Sequence, residues 1–302
     1  MGKIIAWTQW ADLKVPDVIE LRSELTCPLE TSDLSDINFY VPHYFGGAKA
    51  LNYVNQMPQL KYLQMPNAGY DDALDYVREG LIIANAAGVH DDSTAELAVG
   101  LAIASRRGFV DFVRAQDKGE WAHQRYTSFS DSKIGLIGHG SIGKTIAKNL
   151  SGFAVEVVPF TRSGTDGSVK ILELDKYLPT FDIIILILPL TRESRHLFGK
   201  ERLSLMKDGA LIVNVARGAI IDSDALLIEL QSQRIYAALD VTDPEPLPPS
   251  HPLWSAPNLL IAPHVGGDST AFEPRARRLV EAQLERLARG EEIINIVARG
   301  RS

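Results

Sequence analysis

A chain of 302 residues, 45% hydrophobic and 23% charged, has the balance of an ordinary globular protein and is long enough for two domains. A formal charge of −7 without a basic run argues against a nucleic-acid partner, and the single cysteine, Cys27, leaves neither a disulfide framework nor a cysteine metal cluster. The longest apolar run, 183–188, is too short to span a bilayer and the N-terminal one too brief for a signal peptide, so the expectation is a cytoplasmic protein with no membrane partner.

Residues 3–7, 37–41, 61–65 and 81–84 read as short apolar strands, with helical stretches at 48–56 and 71–79 between them. This alternation predicts a first parallel sheet with helices. Two loops stand at strand ends, where open α/β sheets place ligands. They are Pro42-His43-Tyr44-Phe45-Gly46-Gly47 and Pro66-Asn67-Ala68-Gly69-Tyr70-Asp71, and either also fits an ordinary turn. Asp92-Ser93-Thr94-Ala95-Glu96 reads as a helix start, capped by Asp92 or Ser93. The helix is expected to run to about Ala115 and to connect two domains. Residues 118–132 predict an ordered surface arm, with Trp121, Tyr126 and Phe129 anchored on the body or on a second subunit.

The stretch 133–144 organises the remainder. A short apolar strand leads into Gly138-His139-Gly140-Ser141-Ile142-Gly143, three glycines at G-x-G-x-x-G spacing, and a helix follows. Gly138 permits the tight turn, Gly140 lets a pyrophosphate approach the backbone, and Gly143 lets helix and strand pack closely. The helix N-terminus then faces the phosphates. The alternative is a plain βα turn. Further strands are expected at 154–160, 169–171, 181–188, 209–215, 235–239 and 258–261, with helices at 143–150, 200–206 and 222–231. The continuous Ile/Leu run marks a central strand buried on both faces. Together these elements make a doubly wound sheet. A helix at 270–288 returns the chain to the first domain, and two helical crossings suit a hinge. The expected division is a substrate domain at 1–96, a dinucleotide-binding domain at 97–268 and a returning helix in 269–302.

An NAD site usually carries an acid after the second strand, to accept from the ribose 2′-hydroxyl. Here Thr161-Arg162-Ser163 stands there instead. A guanidinium can pair with a 2′-phosphate and a hydroxyl can donate to it, so the sequence favours NADP over NAD. The alternative is a solvated Arg162 with the ribose read elsewhere. Three further motifs lie at strand ends: Asn214-Val215-Ala216-Arg217-Gly218, Asp240-Val241-Thr242-Asp243-Pro244-Glu245-Pro246 and Ala262-Pro263-His264-Val265-Gly266-Gly267. Singly, each has a bland structural reading. Beside a dinucleotide fingerprint, they fit carbonyl reduction. Arg217 would bind a carboxylate and polarise the adjacent carbonyl, and His264 would act as general acid, with Glu245 orienting it and favouring the imidazolium.

The glycine turn, the run 188–197, the run 206–218, and the segments 238–247 and 262–267 resemble those of the D-isomer-specific 2-hydroxyacid dehydrogenases, in the same order and over nearly the whole chain. The resemblance implies a two-domain α/β protein, with a doubly wound Rossmann domain and a smaller flavodoxin-like substrate domain. It implies catalytic roles for Arg217, Glu245 and His264, and contact of Asp240 with the nicotinamide carboxamide. It places the cofactor against Gly138 to Gly143, Thr161 to Ser163, Thr94 and Pro189, and the substrate carboxylate against the backbone N–H groups of Asn67-Ala68-Gly69 and against Arg217. It further implies a homodimer with the 94–114 helix and the following arm in the interface. Its cofactor signal is closest to glyoxylate/hydroxypyruvate reductases. The absent acid after the second strand is the one departure. Two other readings stay open: a dinucleotide-sensing corepressor of the same fold, and a Rossmann methyltransferase, which has no need of the arginine, glutamate and histidine.

Overall fold

The computed structural model describes residues 3–300. The chain forms two compact units, one made of the residues up to His90 and those from Thr270 onward, the other of Asp91–Ser269. In the first unit lie β1 (Ile4–Trp7), β2 (Ile19–Arg22), β3 (Phe39–Tyr40), α1 (Gly47–Asn52), β4 (Tyr62–Gln64) and β5 (Ile82–Ala84). The second holds α2 (Asp91–Arg106), α3 (Phe109–Asp117), β6 (Lys133–Ile137), α4 (Ser141–Leu150), β7 (Glu156–Thr161), β8 (Val169–Lys170), α5 (Leu174–Tyr177) and β9 (Ile183–Leu186). It continues with α6 (Lys200–Leu205), β10 (Leu211–Asn214), α7 (Ser223–Gln231), β11 (Tyr236–Leu239) and β12 (Leu259–Ile261). The first unit then resumes with α8 (Phe272–Ala288) and β13 (Ile296–Arg299).

The second unit's sheet has the order β12-β11-β10-β9-β6-β7-β8, all parallel. The chain moves outward from β6 to β8, then crosses to β9 and outward the other way, which is the doubly wound Rossmann pattern. Every residue of β9 and β10 is buried. Because side chains alternate across a strand, Ile184 and Leu186 join one apolar layer with Leu203 and Leu226, while Ile183 and Ile185 join the opposite layer with Ala95, Ala98 and Ile146. The continuous Ile/Leu run therefore serves two cores at once.

The first unit's sheet runs β13-β5-β4-β3-β1-β2. Its parallel part follows the flavodoxin-like order, and β13 adds an antiparallel edge on β5. Ala6, Phe39 and Ala84 pack against Ala276, Val280 and Leu284 of α8, and Trp7, Tyr40 and Leu63 face Leu51 and Val54 on the other side.

Several expectations need correction. The helix expected to reach Ala115 is two helices, broken where Gly108 takes φ +66. The second of the pair packs no buried residue of its own. The stretch 71–79 forms a 3-10 helix over Asp71–Tyr76, since its polar face buries only Ala73. The stretch 48–56 is helical as expected, α1 followed by a 3-10 turn over Tyr53–Gln56. The strands β2 and β13 were not anticipated, being short edge strands with half-exposed patterns. Among the described residues no helix is long and apolar enough to cross a membrane.

Candidate active site

The glycine turn joins β6 to α4 at the sheet's switch point, beside β9. Gly138 has φ +110, and a side chain there would drive into the Ile187 carbonyl; one at Gly143 would meet the Gly138 carbonyl. Those two glycines serve the fold. Gly140 is exposed and a Cβ on it would meet nothing within 4 Å, so its missing side chain leaves open the approach to the backbone. No side chain caps the N-terminus of α4, so no side chain takes its first N–H groups, and the positive end of its dipole lies at this turn. The His139 ring is half-buried, with its Nδ1 atom buried and unpartnered. The Ser141 hydroxyl donates to Asp91 at the start of α2. An uncapped helix end behind an open glycine fits a dinucleotide pyrophosphate.

At the end of β7 the Thr161 and Ser168 hydroxyls bond at 2.7 Å, and Gly164 N donates to Thr161 Oγ1 at 2.9 Å, which closes the turn. Ser163 and Thr165 pair at 2.9 Å. Arg162 is 82% exposed at its side chain and stands 4.0 Å from Glu193, a weak surface pair that leaves the guanidinium available. Pro189, exposed at the end of β9, lends its carbonyl to the Ser194 hydroxyl at 2.8 Å.

Arg217, Glu245 and His264 follow β10, β11 and β12, three adjacent strands, so their loops share the carboxyl edge of one sheet. Glu245 Oε1 pairs with His264 Nδ1, and the charge of Arg217 acts on the same carboxylate. Burial pushes the Glu245 carboxyl up, but the hydrogen bond from His264 and the His264 and Arg217 charges outweigh it and hold it below its ordinary range. Asn214 braces the arginine turn, donating to the Arg217 carbonyl at 2.9 Å and accepting from Ala216 N at 3.0 Å. Asp240, buried at the end of β11, takes Val265 N on Oδ1 at 2.8 Å and Gly266 N on Oδ2 at 3.0 Å. Its burial raises its pKa, against the pull of those two N–H groups. Thr94, in the first turn of α2, is buried beside Gly266.

In the first unit, the loop after β4 is held from behind by the segment after β5. The carbonyl of Pro66 accepts from His90 Nε2 at 2.9 Å, that of Asn67 from Ala86 N at 2.9 Å, and that of Ala68 from Asn85 Nδ2 at 2.7 Å. In a trans peptide the N–H points opposite to the C=O. Anchoring those three carbonyls on one side therefore turns the N–H groups of Asn67, Ala68 and Gly69 to the other, a row of donors suited to an anion. Asn85, His90 and Glu193 are not marked by the sequence, and Asn214 stands there only as the first residue of the Arg217 motif. Each acts on a partner distant in the chain or on a neighbouring carbonyl, and no local pattern marks that. The other loop, at 42–47, contributes Tyr44, stacked on Phe272 at a centroid distance of 3.8 Å, and an exposed Phe45.

A family model for "D-isomer specific 2-hydroxyacid dehydrogenase, NAD binding domain" matches residues 99–266. The chain is similar to a glyoxylate reductase from Thermofilum pendens, 34% identical over 249 residues that cover 78% of this chain and 74% of that protein. It is similar to a glyoxylate reductase from Pyrococcus horikoshii, 33% identical over 251 residues, 78% of this chain and 75% of that protein. An NADPH-dependent glyoxylate/hydroxypyruvate reductase from Sinorhizobium meliloti, solved with NADP and sulfate, shares the fold at a TM-score of 0.82 and 23% identity, over 98% of each chain.

Proposed function

Because the chain belongs to the D-isomer specific 2-hydroxyacid dehydrogenase family, we propose that it reduces a small 2-oxo acid of the glyoxylate or hydroxypyruvate kind to the D-2-hydroxy acid, with NADPH preferred over NADH. As a member of that family it is an NAD(P)-dependent D-2-hydroxyacid dehydrogenase. The observation that carries the proposal is the pairing of Glu245 with His264 Nδ1 and the charge of Arg217 on the same carboxylate, on the sheet edge that bears the glycine turn.

A nicotinamide cofactor, when bound, would supply the hydride that the carbonyl carbon accepts. Arg217, a planar cation beside Glu245, binds the substrate carboxylate and polarises the adjacent carbonyl. Glu245 accepts from His264 Nδ1, which fixes the ring and leaves Nε2 to give its proton to the carbonyl oxygen; in the reverse direction Nε2 takes that proton back. The N–H groups of Asn67, Ala68 and Gly69 receive the substrate carboxylate. Gly138 to Gly143 would hold the cofactor's pyrophosphate, Thr94 and Pro189 would contact the cofactor, and Asp240 would accept from its carboxamide. Arg162, with Thr161 and Ser163, would take the 2′-phosphate and so favour NADPH.

A homodimer is part of the same proposal. It is supported by α3, which buries no residue and exposes Phe109, Phe112 and Val113, and by the arm beyond it, where Trp121 is 96% exposed. Assaying a panel of 2-oxo acids with NADPH and with NADH tests the reading. Turnover of glyoxylate or hydroxypyruvate, faster by kcat/KM with NADPH, supports it. Dinucleotide binding without turnover of any 2-oxo acid would favour a sensing role and overturn it.

A further inference from the structure

The loop that receives the substrate carboxylate has its shape imposed on it by side chains that never touch the substrate. Asn85 is buried at the end of β5 and bonded on every polar group. Its N–H donates to Asn295 O at 3.0 Å, its carbonyl accepts from Gln64 Nε2 at 3.0 Å, its Oδ1 accepts from Ala87 N at 3.3 Å, and its Nδ2 donates to Ala68 O at 2.7 Å. Gln64 is fixed in turn by Gln283 of α8, whose Nε2 donates to Gln64 Oε1 at 2.9 Å, and both glutamines are buried. His90 is buried too, and its ring stacks on Phe272 at 5.3 Å with an interplanar angle of 9°. A carbonyl can only accept, so His90 Nε2 carries the hydrogen it shares with Pro66 O.

Resting on the proposed reduction of a 2-oxo acid, we infer that Asn85 and His90 are positioning residues for substrate recognition. Their donated hydrogen bonds to Ala68 O and Pro66 O set the peptide planes that aim the Gly69 and Asn67 N–H groups at the substrate carboxylate. Ala86 N sets the plane between them. Rotating a peptide plane moves its C=O and N–H together, so losing the Asn85 donor releases the Gly69 N–H from its aim. The backbone N–H groups are thereby pre-organised, and the substrate does not have to order them on binding.

The test is the Asn85→Asp enzyme, isosteric with the parent, with Asn85→Ala beside it. KM for hydroxypyruvate, kcat and NADPH affinity are measured from pH 5.5 to 8. When ionised, the introduced carboxylate sets an acceptor against Ala68 O where a donor stood. When protonated it can donate again, and burial favours that form. For Asn85→Asp, KM should rise about tenfold or more at the alkaline end, the scale of a lost hydrogen bond to a charged group, and should fall back towards the parental value on acidification. For Asn85→Ala, KM should rise by a similar factor at every pH. For both, kcat should stay within about a factor of three of the parent, since Arg217 and His264 are untouched, and NADPH affinity should be parental. His90→Phe keeps a ring for the stack and removes the donor to Pro66 O; it should raise KM in the same way and serves if the Asn85 variants do not fold. Parental KM in a folded Asn85→Ala or His90→Phe enzyme overturns the inference, as does a fall in kcat and NADPH affinity with KM unmoved. If the parent reduces hydroxypyruvate and the variants keep its KM, the inference alone fails. If the parent reduces no 2-oxo acid, the functional reading fails and takes the inference with it.

Discussion

The backbone N–H of His264 donates to the carbonyl of Asp240 at 2.8 Å, while the Asp240 carboxylate takes the next two N–H groups, those of Val265 and Gly266. His264 sits at φ +55, in the left-handed region that a side-chain-bearing residue adopts only when its surroundings hold it there. Asp240 provides that hold through three consecutive amides. Asp240→Ala should therefore loosen the histidine loop and lower kcat by about a hundredfold, the scale of a misplaced catalytic group. Steady-state kinetics on the folded variant check it, and a kcat within about a factor of three of the parent would contradict it.

His264→Ala should lose about 10²- to 10⁴-fold in kcat, the range typical of a general acid, with NADPH affinity unchanged. Glu245→Gln keeps an acceptor for His264 Nδ1 but loses the charge, so its loss should be smaller. Kinetics and NADPH titration on both variants decide this. Cofactor binding lost together with turnover would mark His264 as structural.

The Glu245 carboxyl titrates below its ordinary value of 4.5, so the sign of its pH dependence is fixed. A depressed folded-state pKa contributes stability that is fully present above the unfolded value and lost as pH falls through the folded one. The parent should hold an advantage in Tm over Glu245→Gln at neutral pH, and that advantage should shrink only below about pH 4.5. Melting curves of both proteins from pH 7 down to 3 measure it. An advantage that vanishes above pH 5 would contradict the pairing.

Arg162 lies open at the end of β7, and among the described residues the weak Glu193 pair alone holds it. Arg162→Ala should reduce the kcat/KM preference for NADPH over NADH by about tenfold or more, the scale of a lost charge-assisted contact with a phosphate. Glu193→Gln should raise NADPH affinity slightly, because it removes a carboxylate that competes for the guanidinium. An Arg162→Ala enzyme with parental cofactor preference would place the 2′-phosphate elsewhere.

Much of this architecture is legible in the sequence because it is written in short-range patterns. The three glycines need no distant partner to be recognised, and β9 declares its double burial through an unbroken run of isoleucine and leucine. Arg217, Glu245 and His264 each follow a strand by a few residues, so the parallel sheet gathers their loops along one edge. The helix break at Gly108 was hidden by apolar residues that continue the helical period on both sides. Edge strands β2 and β13 carry too little apolar alternation to stand out. Asn85 and His90 illustrate the deeper limit. An Asn-Ala-Ala-Gly run reads as a turn, and nothing local says that its amide holds a carbonyl 17 residues earlier in the chain.

The most direct measurement is chiral analysis of the product that the purified protein makes from hydroxypyruvate and NADPH. The expected result is stoichiometric NADPH oxidation with formation of D-glycerate alone, abolished in Arg217→Lys, whose point charge cannot reproduce the bidentate fork. Formation of L-glycerate, absence of NADPH oxidation with every 2-oxo acid tried, or undiminished turnover by Arg217→Lys would contradict it.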